Sequence, residues 1–230
     1  MGLPYCSGIG ELLWAVSTCR PDLCYASVRS SQHSVCPARE HYHGLRHSLK
    51  YMYVTRDDGI YFWRAIPNEK LPAVPPQAPK SNRAELLLDG RPNHDALSLH
   101  AFMDSEWGSC PRTRRSMGGG AVRLAGGPVA YKTKLQPTVS GSSTESEFIQ
   151  AHDTGKMVLY TRSIMYDLGI PQRAATVMYE DNEACITMAM AQKSTPRTRH
   201  IDIRYFALAE WVERDLMALE RVSTKQNMAD

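Results

Sequence analysis

Between Ile66 and Asn93 the sequence reads IPNEKLPAVPPQAPKSNRAELLLDGRPN, a stretch holding six prolines. Proline lacks an N–H and fixes φ, so neither a helix interior nor a central strand runs through such a segment. With bounds at 65–96 it reads as an extended linker or surface loop. Any fold open to these 230 residues is therefore built from two parts joined across it.

The two parts have different periods. Within 1–64, GELLWAVSTC, PDLCYASVRSSQ and AREHYHGLRHSLKYMYVT space apolar residues three or four apart, with Pro21 and Pro37 near helix starts. That is a small helical unit, followed by DDGIYFWR as a turn into a short strand. Within 97–230 the pattern alternates instead. LSLHAFMD, GGGAVRLAGG and PVAYKTK read as three strands in succession, with Gly126-Gly127-Pro128 turning the second into the third. A helix over 143–167, a strand ATVMYED, helices from Asn182 and over about 199–214, a strand LMALERVS and a last helix starting at KQNMAD follow. Strands first, then helices alternating with strands, predict a mixed sheet with helices packed on it.

Composition closes several other routes. The net charge is only +3 at pH 7, too small by itself to argue for nucleic acid. The six cysteines include no C-x-x-C pair, which argues against structural zinc and points to reduced thiols. No apolar run approaches the roughly 20 residues a spanning helix needs, so no membrane partner is expected, and no motif calls for a small-molecule cofactor.

The acidic residues near strand ends and helix starts are Asp104, Glu145 with Glu147, Glu180 with Asp181, and Asp230. In an open sheet ligands gather where strands end, so carboxylates from separate elements can converge there. Converging carboxylates repel unless a divalent cation sits between them, and an all-oxygen set favours Mg2+ or Mn2+ over zinc. Each has an ordinary structural alternative. Ser142-x-x-Glu145 and Thr144-x-x-Glu147 both fit a capping box, Asp181 fits an N-cap, and Asp230 a solvated end. The helix separates its two glutamates: Ala151, Gly155 and Val158 share a small, apolar stripe with Glu147, whereas Glu145 lies about 200° away around the axis. Glu147 is thus expected to face the sheet and Glu145 to cap.

The chain strongly resembles the C-terminal part of the Pol polyprotein of copia-type retrotransposons. The helical segment YCSGIGELLWAVSTCRPDLCYASVRSSQHSVCPAREHYHGLRHSLKYMYVTRDDGIYF resembles the thumb or connection region after that family's polymerase palm. The blocks FMDSEWGSCPRTRRSMGGGAV, AYKTKLQPTVSGSSTESEFIQA, VMYEDNEACI, RTRHIDIRYFALAEWV and LERVSTKQNMAD resemble its ribonuclease H domain, in order. The resemblance implies a ribonuclease H-like mixed five-stranded sheet flanked by helices and preceded by the helical unit. It implies cleavage of the RNA strand of an RNA/DNA hybrid by two Mg2+ or Mn2+ ions ~4 Å apart, held by Asp104, Glu147, Asp181 and Asp230. Asp104 would bridge the ions, Glu147 and Asp230 would each hold one side, and Asp181 would help position the water. It also implies the polymerase portion of the same polyprotein as a partner, and an intracellular setting, in cytoplasmic virus-like particles or the nucleus.

Basic residues suit such a substrate. Arg112, Arg114, Arg115, Arg123, Lys132 and Lys134 surround the hairpin, and Arg197 and Arg199 stand in a second basic loop. Ser105, Asn182 and Gln136 are polar candidates for 2′-hydroxyl contacts, while His200 is read as structural. The family pattern is not complete. VSTKQNMAD is too short for the histidine loop of cellular ribonucleases H, and the family continues for further helical turns past Asp230, so the sequence reads as truncated there. The palm with its paired aspartates is missing, so DNA synthesis is not expected. The alternative is an inactive remnant that binds nucleic acid or a polymerase partner. A serine hydrolase is discounted because no G-x-S-x-G elbow occurs.

Overall fold

The computed structural model describes residues 4–62, 97–190 and 202–229. The Pro-rich segment lies outside them, as do Arg197, Arg199, His200 and Asp230. Two compact units result, residues 1–61 with 132–135, and residues 62–131 with 136–230.

The helical unit comprises α1 (Tyr5–Thr18), a 3-10 turn (Pro21–Leu23), α2 (Cys24–Ser31) and α3 (Arg39–Val54). Tyr5, Ile9, Leu12, Ala15 and Val16 recur at helical spacing along α1 and are all buried. Pro21 ends that helix, because the residue before a proline is forced out of the α region; Arg20 sits at φ −121°, ψ 69°. The Arg20 guanidinium donates to Asp22 at 2.6 Å and to the carbonyls of Met52 and Thr55 at the end of α3. It thereby serves acceptors that a helix C-terminus leaves without partners.

Past the helical unit the chain forms a five-stranded sheet in the order β3-β2-β1-β4-β5, from β1 (His100–Glu106), β2 (Met117–Leu124), β3 (Gly127–Leu135), β4 (Thr176–Glu180) and β5 (Met217–Arg221). β1 pairs antiparallel with β2 and parallel with β4, and β4 pairs parallel with β5. Parallel neighbours need crossovers, which α4 (Ser143–Asp167), α5 (Glu183–Met190) and α6 (Asp202–Glu213) supply. This is the mixed five-stranded sheet flanked by helices that the sequence predicts. Central β1 is buried at Ala101, Phe102 and Met103, as a strand covered on both faces must be.

Close approach of α4 to the sheet depends on missing side chains. A Cβ at Gly118 or Gly120 of β2 would run into Gln150 or Thr154 of α4, and one at Gly155 would meet the Trp211 ring at 2.9 Å. The stripe behind Glu147 behaves as its spacing predicts: Ala151, Gly155 and Val158 are all buried.

Three local expectations are corrected. Ala125 (φ 51°) and Gly126 (φ 84°) turn β2 into β3, with the positive φ at both central positions that a type I′ two-residue hairpin takes; Gly127 and Pro128 belong to the strand, and proline is tolerated at the start of an edge strand. No strand forms over 58–62, where a lone extended segment finds no partner. In place of the helix expected from Lys225, a 3-10 turn spans Thr224–Gln226. No described helix is long and apolar enough to cross a membrane.

Candidate metal centre

Two neighbouring parallel strands carry the centre. β1 and β4 pair as far as Phe102↔Tyr179, so Asp104, near the end of β1, and Asp181, just past β4, emerge side by side at the carboxyl ends of adjacent strands. That is where an open sheet presents ligand groups. The third carboxylate comes from the first turns of α4. Asp104, Glu147 and Asp181 each offer an oxygen within 4.8 Å of the others. Asp230 lies outside the described residues.

The start of α4 is fastened by polar groups. Ser142 caps it, accepting from the Glu145 N–H at 3.1 Å, while the Glu145 carboxylate accepts from the Gly141 N–H at 2.7 Å. The reciprocal bond of this capping arrangement therefore goes one residue further back than Ser142. Beneath it, the hydroxyls of Ser105 and Ser146 share a hydrogen bond. The Gln136 amide donates to the Ser146 carbonyl at 2.9 Å and accepts from the Ser140 hydroxyl at 3.0 Å. Ser105 and Gln136 are buried, which corrects their reading as contacts for 2′-hydroxyls: they lock α4 onto β1. Asn182 accepts from the Cys185 N–H at 3.1 Å, so it, not Asp181, caps α5.

Burial separates the two glutamates of α4. Glu147 is 6% exposed, and its carboxyl is pushed up to about 9, first by burial and then by Glu180, Asp104 and Asp181, with the Ser105 N–H pulling the other way. Its Oε2 is buried without a hydrogen-bond partner. Glu180 is fully buried and is raised to about 8, mainly by burial and then by Asp181 and Asp104 against the pull of the Asn182 N–H. Its Oε1 accepts that N–H at 3.0 Å and its Oε2 has no partner. The buried Cys185 thiol is pushed up by burial and by these carboxylates. Buried carboxylates of one sign are costly together, and a hard divalent cation among them removes that cost. The orphaned Glu147 oxygen and the all-carboxylate donors thus fit Mg2+ or Mn2+.

Glu180 entered the sequence reading only as the neighbour of Asp181. Its signal was parity: in VMYE it shares a face with Met178, and a parallel central strand is covered on both faces, so a charge there is buried.

Of the basic residues, Arg112 and Arg114 are exposed and Arg115 half-buried in the loop between β1 and β2, and Lys132 and Lys134 are exposed on β3. The loop is closed by Arg114 N–H to Cys110 O at 2.7 Å and Cys110 N–H to Arg115 O at 3.1 Å. Arg123 is turned inward instead, donating to the Gly126 carbonyl and lying 6.0 Å from the Phe102 ring centre.

No family model matches the chain. The retrovirus-related Pol polyprotein from transposon TNT 1-94 of Nicotiana tabacum is 27% identical over 228 residues, 99% of this chain and 15% of that polyprotein. The corresponding polyprotein from transposon RE2 of Arabidopsis thaliana is 27% identical over 222 residues, 96% of this chain and 13% of its own length. Among solved structures, LC11-RNase H1 isolated from compost aligns over 56% of this chain and 87% of its own, at 8% identity and a TM-score of 0.44. The chain spans only a small fraction of the polyproteins it matches, but along nearly its whole length it is similar to the retrovirus-related Pol polyproteins of plant transposons.

Proposed function

We propose that this chain is the ribonuclease H segment of a retrotransposon Pol polyprotein and hydrolyses the RNA strand of RNA/DNA hybrids with two Mg2+ or Mn2+ ions. The observation that carries this reading is the meeting of Asp104, Glu147 and Asp181 within 4.8 Å at the ends of two parallel strands, one of them with a buried oxygen lacking a partner. Asp104, Glu147 and Asp181 would hold the ions, with Asp230 completing the set. Bound there, the ions supply an activated water and charge stabilisation at the leaving 3′ oxygen.

The protein's own part is to hold those carboxylates at fixed spacing before any ion arrives. The bonds among Ser105, Gln136, Ser140 and Ser146 do this for Glu147, and the β1–β4 pairing brings the backbone of Asp104 and Asp181 side by side. Arg112, Arg114, Arg115, Lys132 and Lys134 would track phosphates of the hybrid, with Asn182, Arg197 and Arg199 as further contacts. The helical unit at 1–64 corresponds, in this reading, to the thumb or connection segment, joined by 65–96 to the nuclease domain at 97–230, and the remaining polymerase portion is the natural partner.

The test is cleavage of a labelled RNA/DNA hybrid by the purified 230-residue chain with Mg2+ or Mn2+, beside Asp104→Asn and a form extended past Asp230. Cleavage that Asp104→Asn abolishes supports the reading. Cleavage only by the extended form assigns the missing activity to poor holding of Asp230. Retained cleavage in Asp104→Asn, or none in any form, overturns it, the latter in favour of a binding remnant.

A further inference from the structure

The stretch after β5 is bonded to the backbone and side chains that carry the centre. The Val222 N–H donates to the Glu180 carbonyl at 2.9 Å. The buried Asn227 side chain donates to the carbonyl of Met103 at 2.8 Å and accepts from the Ala229 N–H at 3.2 Å. Met103 and Glu180 immediately precede Asp104 and Asp181. Between these two anchors the Thr224 hydroxyl donates to Asp181 Oδ2 at 2.8 Å.

From this we infer that Thr224 is a positioning residue for the metal centre, holding the Asp181 carboxylate in the orientation that a divalent cation takes. The inference rests on the metal-centre reading above and adds a residue to it. Asp181 lies past the last paired residue of β4, so the strand ladder does not set its side chain. A carboxylate on a turn rotates about two torsions, and a hydroxyl bonded to one oxygen selects among the resulting orientations. The anchors on either side matter here: with Val222 and Asn227 tied to the two strands, the Thr224 hydroxyl has a fixed starting point. Partners of this kind behind a ligand change metal affinity by 10–100-fold on average. Thr224 is exposed and water competes for the bond, so the effect belongs at the lower end.

The experiment titrates the full chain with Mn2+ in the absence of nucleic acid and reads free Mn2+ by its electron paramagnetic resonance signal. Thr224→Val keeps the shape and removes the donor; Thr224→Ser keeps the donor and removes the methyl. The expected result is a Kd about tenfold weaker for Thr224→Val, near-native affinity for Thr224→Ser, and unchanged circular dichroism for both. Native affinity in Thr224→Val, or equal weakening in Thr224→Ser, overturns the inference, provided that Asp104→Asn has lost Mn2+. Native affinity in Asp104→Asn overturns the metal centre itself, and the role of Thr224 with it.

Discussion

Both units of this chain leave large apolar side chains in water, but among the described residues only the sheet unit buries carboxylates. The helical unit leaves large apolar side chains outside: Trp14 is 70% exposed, Tyr53 68% and Val54 66%. The sheet unit takes charge inside: Glu147 and Glu180 are buried, as are the polar Ser105, Gln136 and Ser146. Three short helices enclose little volume, so part of their apolar surface stays in water. A five-stranded sheet under a 25-residue helix has enough core to carry buried carboxylates. Stability in the first unit should thus depend on a few apolar contacts, and in the second on polar groups that need a counter-charge.

The largest expected effect falls on the small core. Leu12→Ala, at a fully buried site in α1, should destabilise the helical unit by about 3 kcal/mol, whereas Trp14→Ala two residues on should stay within about 0.5 kcal/mol. Denaturant titration followed by circular dichroism measures both, and equal costs would mean that Trp14 is covered in solution. Next comes the pair on α4. Glu147→Gln should lower hybrid cleavage by about a hundredfold, equal to ~2.7 kcal/mol of barrier, while Glu145→Gln should leave turnover near native and cost about 1 kcal/mol of stability through its cap. Single-turnover kinetics beside thermal melts would show it, and similar rates for both variants would erase the distinction between the two faces of the helix.

The buried acids also predict a pH dependence. Glu147 and Glu180 have folded values raised to about 9 and about 8 from an ordinary 4.5. Above pH 4.5 the unfolded chain has released protons that the folded one keeps, so stability without metal falls as pH rises from about 4.5 until each group ionises in the folded state. The slope is at most about 1.4 kcal/mol per pH unit for each group. Melting temperatures of the metal-free chain between pH 5 and 9 should decline, less steeply in Glu147→Gln. A rise over that range would show that these acids ionise freely.

The smallest effect is the same substitution placed in each unit. A Cβ at Gly44 of α3 meets nothing within 4 Å, so Gly44→Ala should stabilise by about 0.5–1 kcal/mol from helix propensity. At Gly155 the same gain is opposed by the Trp211 ring at 2.9 Å, and overpacking of about 1–3 kcal/mol makes the net change unfavourable. Matching signs in the two melts would remove the contrast in packing that separates the units.

Local pattern carried far through this chain. The bounds of α4 are those its spacing predicts, because a long helix has many periodic positions and a capping serine at its head. The shifted hairpin turn and the 3-10 turn at Thr224 escaped prediction because such features depend on one or two torsions that strand pairing sets. Asp104, Glu147 and Asp181 were legible as carboxylates at element ends. Glu180 stood beside them, but its burial was not legible, since VMYE alone does not record that β4 lies between two parallel neighbours and is covered on both faces.

Residue order alone determined the change of period along the chain and the different placements of Glu145 and Glu147, because backbone sterics and helical geometry act over a few residues. Tertiary structure decided the rest. Residues 104, 147 and 181 become neighbours only once β1 and β4 pair and α4 seats over Gly118 and Gly120. Burying Glu180, enclosing Ser105 and Gln136, and bringing Thr224 to Asp181 all depend on contacts between elements far apart in the chain, which no local pattern records.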